Sequence, residues 1–339
     1  MGKDAEFFAL SQDEQIVSLT QAAAAILHGY GISGSELECI NYEFNATFKV
    51  TTDSAQIYVL RININSTRTA QNIMAEIEWV QYLQRTDGIH VATPIANHAD
   101  QFITSFNHGE SGRVLLAVMY SWLEGSEVGD EPSLIQLHQI GQTIALLHES
   151  AKDFQLTSRA KLPEFKDLLW GTQDFLFGER SVLESDDREL LLQASNYICR
   201  YTDELYEKSQ SHIIHADLHG WNIISHESEI FIFDFDDCGI GLAAQDIAVA
   251  LYYLDTPEQE VALLNGYKSV MALPEYSDIA MKALLLQRRL MLLNYLYETN
   301  NHEHRQMLPA YLAKTIERVS RFLVEVSESN NGTIQNQRS

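Results

Sequence analysis

Hydrophobic periodicity along this chain changes character once, and that change limits the folds open to it. Up to about residue 121 the apolar residues fall in short β-type runs around 45–50, 57–62 and 114–120, the last reading Val114-Leu115-Leu116-Ala117-Val118-Met119-Tyr120. Two helices are expected beside them, 12–30, with Ile16, Leu19, Ala23 and Leu27 at helical spacing, and 70–84. After Glu124-Gly125 the pattern becomes that of long amphipathic helices, at 133–149, 187–207, 243–254, 258–271 and 278–299. One β-rich block, His212 to Asp237, interrupts them. The chain is therefore predicted to be α+β. Its expected divisions are a helical extension (1–35), a small β-rich lobe (36–121), a larger helical lobe (122–326) and a frayed polar tail (327–339).

Composition narrows the class of partner. Hydrophobic residues at 45% over 339 positions supply a sizeable core and argue against global disorder. Cys39, Cys199 and Cys238 are far apart and form no CxxC pair, so neither a disulfide framework nor a thiolate zinc site is expected, and a reducing compartment is. The N-terminus shows no basic segment followed by an apolar run, and no apolar stretch reaches membrane-spanning length, so a cytoplasmic protein is expected. A net charge of −24 argues against nucleic acid or an anionic membrane as partner. The same field either keeps the surface soluble or draws in a cationic substrate; charge alone does not choose. Oligomeric state leaves no mark on the sequence.

Chemistry concentrates in the β-rich block. It reads strand (Ile213-Ile214), polar loop (His215 to Asn222), strand (Ile223-Ile224), turn, and a run from Ile230 to Phe233 that ends in Asp234. His215, Asp217 and Asn222 fit the spacing H-x-D-x-x-x-x-N of kinase catalytic loops, and Asp234-Phe235-Asp236 falls where protein kinases carry D-F-G. Phosphoryl transfer needs these residue types. The moving group is anionic, so the protein must position it and neutralise its charge through a divalent ion. Asp234 offers a hard carboxylate oxygen to Mg2+ and Asn222 a neutral amide oxygen, while Asp217 stays clear to orient a hydroxyl and take its proton. His215 is expected to fix the loop backbone. Two other chemistries compete for the same residues: a transition-metal site from His215, Asp217 and His219, and a D-x-D phosphatase motif from Asp234 and Asp236.

On these residues the chain resembles the aminoglycoside phosphotransferase/choline kinase superfamily, a branch of the protein-kinase-like bilobal fold. The resemblance runs over roughly residues 36 to 300. It is carried by His215-Ala216-Asp217-Leu218-His219-Gly220-Trp221-Asn222, Asp234, Asp246, Asn45-Ala46-Thr47, Tyr58-Val59-Leu60-Arg61-Ile62, Trp122-Leu123-Glu124-Gly125 and Gly141…Leu146-Leu147-His148. It implies an enzyme using ATP and Mg2+, with Asp217 as base, Asn222 and Asp234 as metal ligands, and Asp246 anchoring the loop backbone together with His215. On the nucleotide it implies Arg61, Asn45, Thr47 and Val59, with backbone groups of Ser121 and Leu123 beside adenine. Three departures stand out: Arg61 replaces the usual Lys, the segment 41–47 has no glycine, and Asp236 replaces the Gly of D-F-G. Arg keeps the charge but presents a planar fork instead of a point charge. At 100° per residue Glu76 falls among Ile73, Ile77, Val80 and Leu83 on the buried face of the 70–84 helix, so a partner is expected, and Arg61 is the natural one.

Members of the superfamily phosphorylate aminoglycosides, choline, homoserine and related small hydroxyl compounds, and a bacterial stress-response branch phosphorylates protein Ser/Thr. Glu124, Glu127, Asp130 and Glu131, with Asp236 and Asp237, suggest an acidic mouth and hence a small, amine-bearing acceptor. Of the pair Arg288-Arg289, one is expected to reach the site and bind a carboxylate, Arg288 being the candidate, and the other to be solvated. Trp170, Trp221 and Tyr295 are candidates for the acceptor wall, although core packing accounts for them equally. A protein Ser/Thr kinase and an inactive nucleotide-binding scaffold remain as alternatives.

Overall fold

The computed structural model describes residues 2–299 and 301–336, without the side chains of 302 and 329–336. The elements are α1 (Lys3–Phe7), α2 (Gln12–Leu27), β1 (Ser35–Tyr42), β2 (Asn45–Thr52), β3 (Ile57–Asn63), α3 (Ala70–Leu83), β4 (Pro94–Ile95), β5 (Ile103–His108) and β6 (Arg113–Ser121). Then follow β7 (Ser126–Glu127), α4 (Leu134–Ala151), α5 (Ser185–Lys208), β8 (His212–Ile214), β9 (Ile223–His226), β10 (Glu229–Ile232), β11 (Gly239–Gly241), α6 (Ala243–Tyr252), α7 (Pro257–Lys268), α8 (Asp278–Glu298) and α9 (His302–Asn336). They form two compact units. The first comprises Met1–Glu127, Phe154–Leu162 and Ile224–Asp236; the second comprises Val128–Asp153, Pro163–Ile223 and Asp237–Ser339.

In the first unit, an antiparallel sheet runs β1-β2-β3-β6-β4, with β5 also on β6. Strand alternation gives this sheet two different faces. Ala46, Phe48, Val50, Leu60 and Ile62 point one way, into a core with Leu19, Ala23, Ile26 and Leu27 of α2. The cross-strand partners Asn45 and Asn63, and Thr47 and Arg61, fall at the alternate positions. There Val118 and Tyr120 of β6 pack with Ile73 and Ile77 of α3. α3 starts at a reciprocal cap, Thr69 Oγ1 accepting from Asn72 N and Asn72 Oδ1 from Thr69 N.

The hairpin between β1 and β2 explains the missing glycines. None of residues 41–47 has a positive φ, so no glycine is needed there. Its tip is braced instead: Asn65 Nδ2 donates to Glu43 O at 2.7 Å, and the amides of Asn65 and Ser66 both donate to Phe44 O at 2.8 Å. β1 itself is not among the strands expected from sequence. It is an edge strand whose side chains are half-buried or exposed, so it lacks an apolar run.

The second unit is helical around one small two-stranded sheet, β8 with β11. α4 and α7 cross at closest approach through two glycines. A Cβ on Gly141 would lie 1.9 Å from Leu263 O, and one on Gly266 would lie 1.9 Å from His138 O. α9 corrects the sequence expectation, because a helix runs on through residues placed in a frayed tail. Val319, Phe322 and Val326 bury one of its faces, and a helix nucleated there extends at one hydrogen bond per residue. Pro309, inside it, masks the helical pattern. Residues 337–339 of the expected tail lie outside the described residues. No helix among the described residues is long and apolar enough to cross a membrane.

Candidate active site

In the first unit, chemistry gathers around Arg61. Its Nη2 donates to Glu76 Oε2 at 2.5 Å, and the Tyr120 hydroxyl donates to Glu76 Oε1 at 2.6 Å. The Asp236 Oδ1 lies 3.6 Å from Nη2 and the Asp234 Oδ1 4.0 Å from Nη1. Asn45 Nδ2 donates to Asp236 Oδ2 at 3.0 Å. Burial works to lower the Arg61 pKa, but Glu76, then Tyr120 and Asp236, drive it well above its ordinary value. Burial and the Glu76 carboxylate push the Tyr120 phenol well up, so it stays protonated and keeps donating. Glu76 is 3% exposed, and removing its cationic partner would cost about 3–5 kcal/mol.

One guanidinium set against three carboxylates leaves an excess of negative charge, which a divalent cation would offset. Asp234, at the end of the segment that follows β10, has a half-exposed side chain and a left-handed backbone (φ 60°). Thr47 and Val59 are half-buried at alternate positions on β2 and β3. The Ser121 amide donates to Thr93 O at 2.8 Å and its hydroxyl accepts from Thr93 N at 2.8 Å, which commits that amide to the fold; Leu123 is half-buried.

In the second unit, the loop after β8 carries Asp217. Asp246, on the first turn of α6 and fully buried, organises it. Its Oδ1 accepts from Ala216 N at 2.8 Å, and its Oδ2 from His215 N at 3.2 Å and His148 Nε2 at 3.0 Å. His148 Nδ1 is in turn 2.9 Å from the Tyr267 hydroxyl. Burial raises the Asp246 pKa, but the hydrogen bond and charge of His148, with His215 and the Ala216 amide, bring it below the usual carboxylate value. Ala216 is held at φ 70°, a conformation costing an alanine roughly 1–2 kcal/mol, by that carboxylate. His215, 1% exposed, accepts from Asp217 N at 3.4 Å through Nδ1.

The Asp217 carboxylate meets three side chains of this unit. Arg288 Nη2 donates to its Oδ1, Asn222 Nδ2 donates to its Oδ2 at 3.2 Å, and His219 Nε2 lies 3.5 Å away. Burial works to raise its pKa, yet Arg288, then His219 and His215, hold it down at about 2. Asp217 is therefore ionised at any physiological pH. Arg288 is braced by the Tyr253 hydroxyl at 2.7 Å, and the Tyr253 ring lies 4.5 Å from that of His219. Asn222 also donates Nδ2 to Asp217 O at 2.8 Å, leaving its oxygen as the free end of the amide. Taken separately, this neutral oxygen of the second unit and the half-exposed Asp234 carboxylate of the first are each hard donors of the kind Mg2+ accepts. Among the described residues no three His, Cys, Asp or Glu side chains are grouped to hold a metal, so the alternative of a His215–Asp217–His219 transition-metal site finds no support.

Beside this loop is a cleft lined in part by Asp130, Leu137, Leu218, His219, Trp221 and Tyr253. Trp221 is half exposed there, and its Nε1 donates to Asp130 Oδ1 at 2.7 Å. The other acceptor-wall candidates are placed elsewhere: Trp170 is buried and stacked on Phe165 at 4.6 Å, and the Tyr295 hydroxyl bonds His304 Nδ1 at 2.7 Å. Asp236, expected near the acceptor, has its partners in Arg61 and Asn45 instead. Asp237 is exposed and adds to the negative field at Arg288. Arg289 corrects the expectation of a solvated side chain. It is buried, with Nε on Thr315 Oγ1 and Nη2 on Tyr311 O, both at 3.0 Å. Tyr120 and Asn63 were open to discovery from strand period, two residues from Val118 and Arg61 respectively; Tyr253 carries no sequence signal.

A loop of this pattern anchored by a buried carboxylate, with a separate strand-to-helix Arg–Glu pair, defines a protein-kinase-like phosphotransferase. The sequence matches the phosphotransferase enzyme family over residues 42–279, and the chain belongs to that family and is a kinase. It is 27% identical to the amicoumacin kinase of Bacillus subtilis (strain 168) over 242 residues, 71% of this chain and 68% of that protein. The structure of a microcompartment-associated aminopropanol kinase superposes with a TM-score of 0.78 at 22% identity, covering 90% of this chain and 98% of the other. An amicoumacin kinase in complex with AMP-PNP, Ca2+ and Ami gives a TM-score of 0.65 at 22% identity over 90% and 94%. The fold is accordingly α+β and protein-kinase-like.

Proposed function

We propose that this kinase transfers the γ-phosphoryl group of ATP, as its Mg2+ complex, to a hydroxyl of a small, amine-bearing acceptor. The observation that carries this reading is Asp217: an ionised carboxylate, one-fifth exposed, on a loop whose backbone is clamped by Asp246. Asp217 orients the acceptor hydroxyl and takes its proton as the oxygen attacks phosphorus. Arg61, set by Glu76, contacts the nucleotide phosphates, with Asn45 and Thr47 beside them and Val59 and the backbone at Ser121 and Leu123 on the adenine side. Asn222 and Asp234 give oxygens to the metal, which, when bound, neutralises charge on the phosphates.

Three observations favour an amine on the acceptor: the net charge of −24, the Asp130 carboxylate beside the Trp221 indole in the cleft next to the loop, and a structural neighbour that acts on aminopropanol. The test is to incubate the purified chain with Mg-ATP and a panel of amino alcohols, hydroxy amino acids, aminoglycosides and generic protein substrates. Phosphate transfer to an amine-bearing small molecule, lost in Asp217→Ala while Mg-ATP binding persists, is the expected outcome. Transfer to protein alone would favour the Ser/Thr kinase alternative. Unchanged turnover in Asp217→Ala would remove its assignment as base.

A further inference from the structure

Asn63, the last residue of β3, is 7% exposed, and neither its amide nitrogen nor its amide oxygen has a hydrogen-bond partner in the chain. Buried polar groups are almost always paired, and each orphan costs about 1–3 kcal/mol. Nothing in the fold demands asparagine here. Its neighbours at alternate positions are Arg61 on β3 and, across the ladder, Asn45 on β2 and Leu116 on β6, and none of them bonds its amide. A group that weakens the fold and serves no internal contact points to a ligand.

Its neighbours share the same deficit. Asn63 is the cross-strand partner of Asn45 and lies two residues from Arg61, hence on the same side of the sheet. Asn45 Oδ1, Asp236 Oδ1 and Arg61 Nε are likewise buried without a hydrogen bond. The set thus holds two unmatched donors, Asn63 Nδ2 and Arg61 Nε, and two unmatched acceptors, the amide oxygens of Asn63 and Asn45, beside an Asp236 oxygen that has an ion pair with Arg61 but no hydrogen bond. A bare anion would satisfy only the donors and a bare cation only the acceptors. A phosphate carrying a hydrated divalent ion satisfies both, since phosphate oxygens accept and metal-bound waters donate.

We infer that Asn63 is a binding residue for the terminal phosphate of the nucleotide, acting with Asn45 at the end of the β2–β3 ladder. This rests on the nucleotide reading above and adds a discrimination to it. Asn63 distinguishes a nucleoside triphosphate from the diphosphate product, because only the former reaches it.

The experiment needs no acceptor. Asn63→Leu and Asn63→Ala are compared with wild type by calorimetric titration and thermal unfolding, using Mg2+ with AMP-PNP or with ADP. Both variants should bind AMP-PNP about 10-fold more weakly, one lost interaction of about 1.4 kcal/mol, and ADP as wild type does. Without nucleotide, Asn63→Leu should melt at or above the wild-type temperature, since it removes two orphaned polar groups. Unchanged AMP-PNP affinity in both variants, or equal weakening for both nucleotides, would overturn the inference. So would a nucleotide-free Asn63→Leu that melts well below wild type while Asn63→Ala binds AMP-PNP normally. A wild-type chain indifferent to both nucleotides would instead sink the nucleotide reading itself, and this inference with it.

Discussion

Arg288 and Asp246 act on Asp217 in different ways, one on its carboxylate and the other on its backbone. Arg288 reaches the carboxylate with one nitrogen that Tyr253 also holds, so the guanidinium fixes where Asp217 points. Lysine keeps the charge on a stem one bond shorter, so its nitrogen cannot sit where this one meets both partners. Arg288→Lys should lower kcat by about 10- to 100-fold, with KM for ATP changed little, because misplacing a reacting group by about 1 Å costs that much. Steady-state kinetics checks this; an equal loss in both parameters would mean that Arg288 supports nucleotide binding. Asp246 supports the backbone, and its effect is read through acid stability. Its folded pKa lies below the unfolded carboxylate value of about 3.9, so its stabilisation is complete above that pH and is lost as pH falls towards and through the folded value. Asp217, held at about 2, behaves alike by the same linkage. Urea midpoints measured from pH 7 to pH 3 should therefore fall below about pH 4, and Asp246→Asn should start lower and show a shallower acid limb.

Among the elements, the crossing of α4 and α7 is the least forgiving. Gly141 and Gly266 let the two backbones approach so closely that any Cβ meets a carbonyl oxygen, which has no rotamer to move aside. Gly266→Val should cost about 3 kcal/mol or more, by overpacking at a site where backbone must shift, and lower Tm by several degrees. Gly109→Ala, where an added Cβ meets nothing within 4 Å, is the control and should leave Tm nearly unchanged. α4 also carries His148, whose ring bridges Tyr267 of α7 to Asp246 of α6. Separating the helices thus withdraws a partner from the carboxylate that holds the Asp217 loop, and activity should fall with stability in this variant.

Across the whole molecule, 47 acidic side chains against 23 basic ones create a field that raises the local concentration of a cation and repels an anion. For an ammonium-bearing acceptor, kcat/KM should fall several-fold between about 0.05 and 0.5 M NaCl as screening shortens the reach of that field, whereas a neutral acceptor should show little change. Much at this scale was legible in the sequence, and for local reasons. The helices 133–149, 187–207 and 278–299 show because each buries a stripe of its own residues, and the Asp217–Asn222 spacing shows because one loop carries both. Glu76 was visible as a misfit on an apolar helix face. The edge strand β1 and the helix α9 were not, since one buries little and the other runs through a proline. Nor were the partners of Arg288, 71 residues from Asp217, or of Asp236, 191 residues from Asn45. The amino-acid order alone determined the periodicities, the loop motif and the charge, because each is set by neighbours a few positions apart. Tertiary structure alone decided which arginine holds Asp217, that Arg289 is internal, and that Asn63 is left without a partner, because pairing and burial depend on what distant segments bring to the same place.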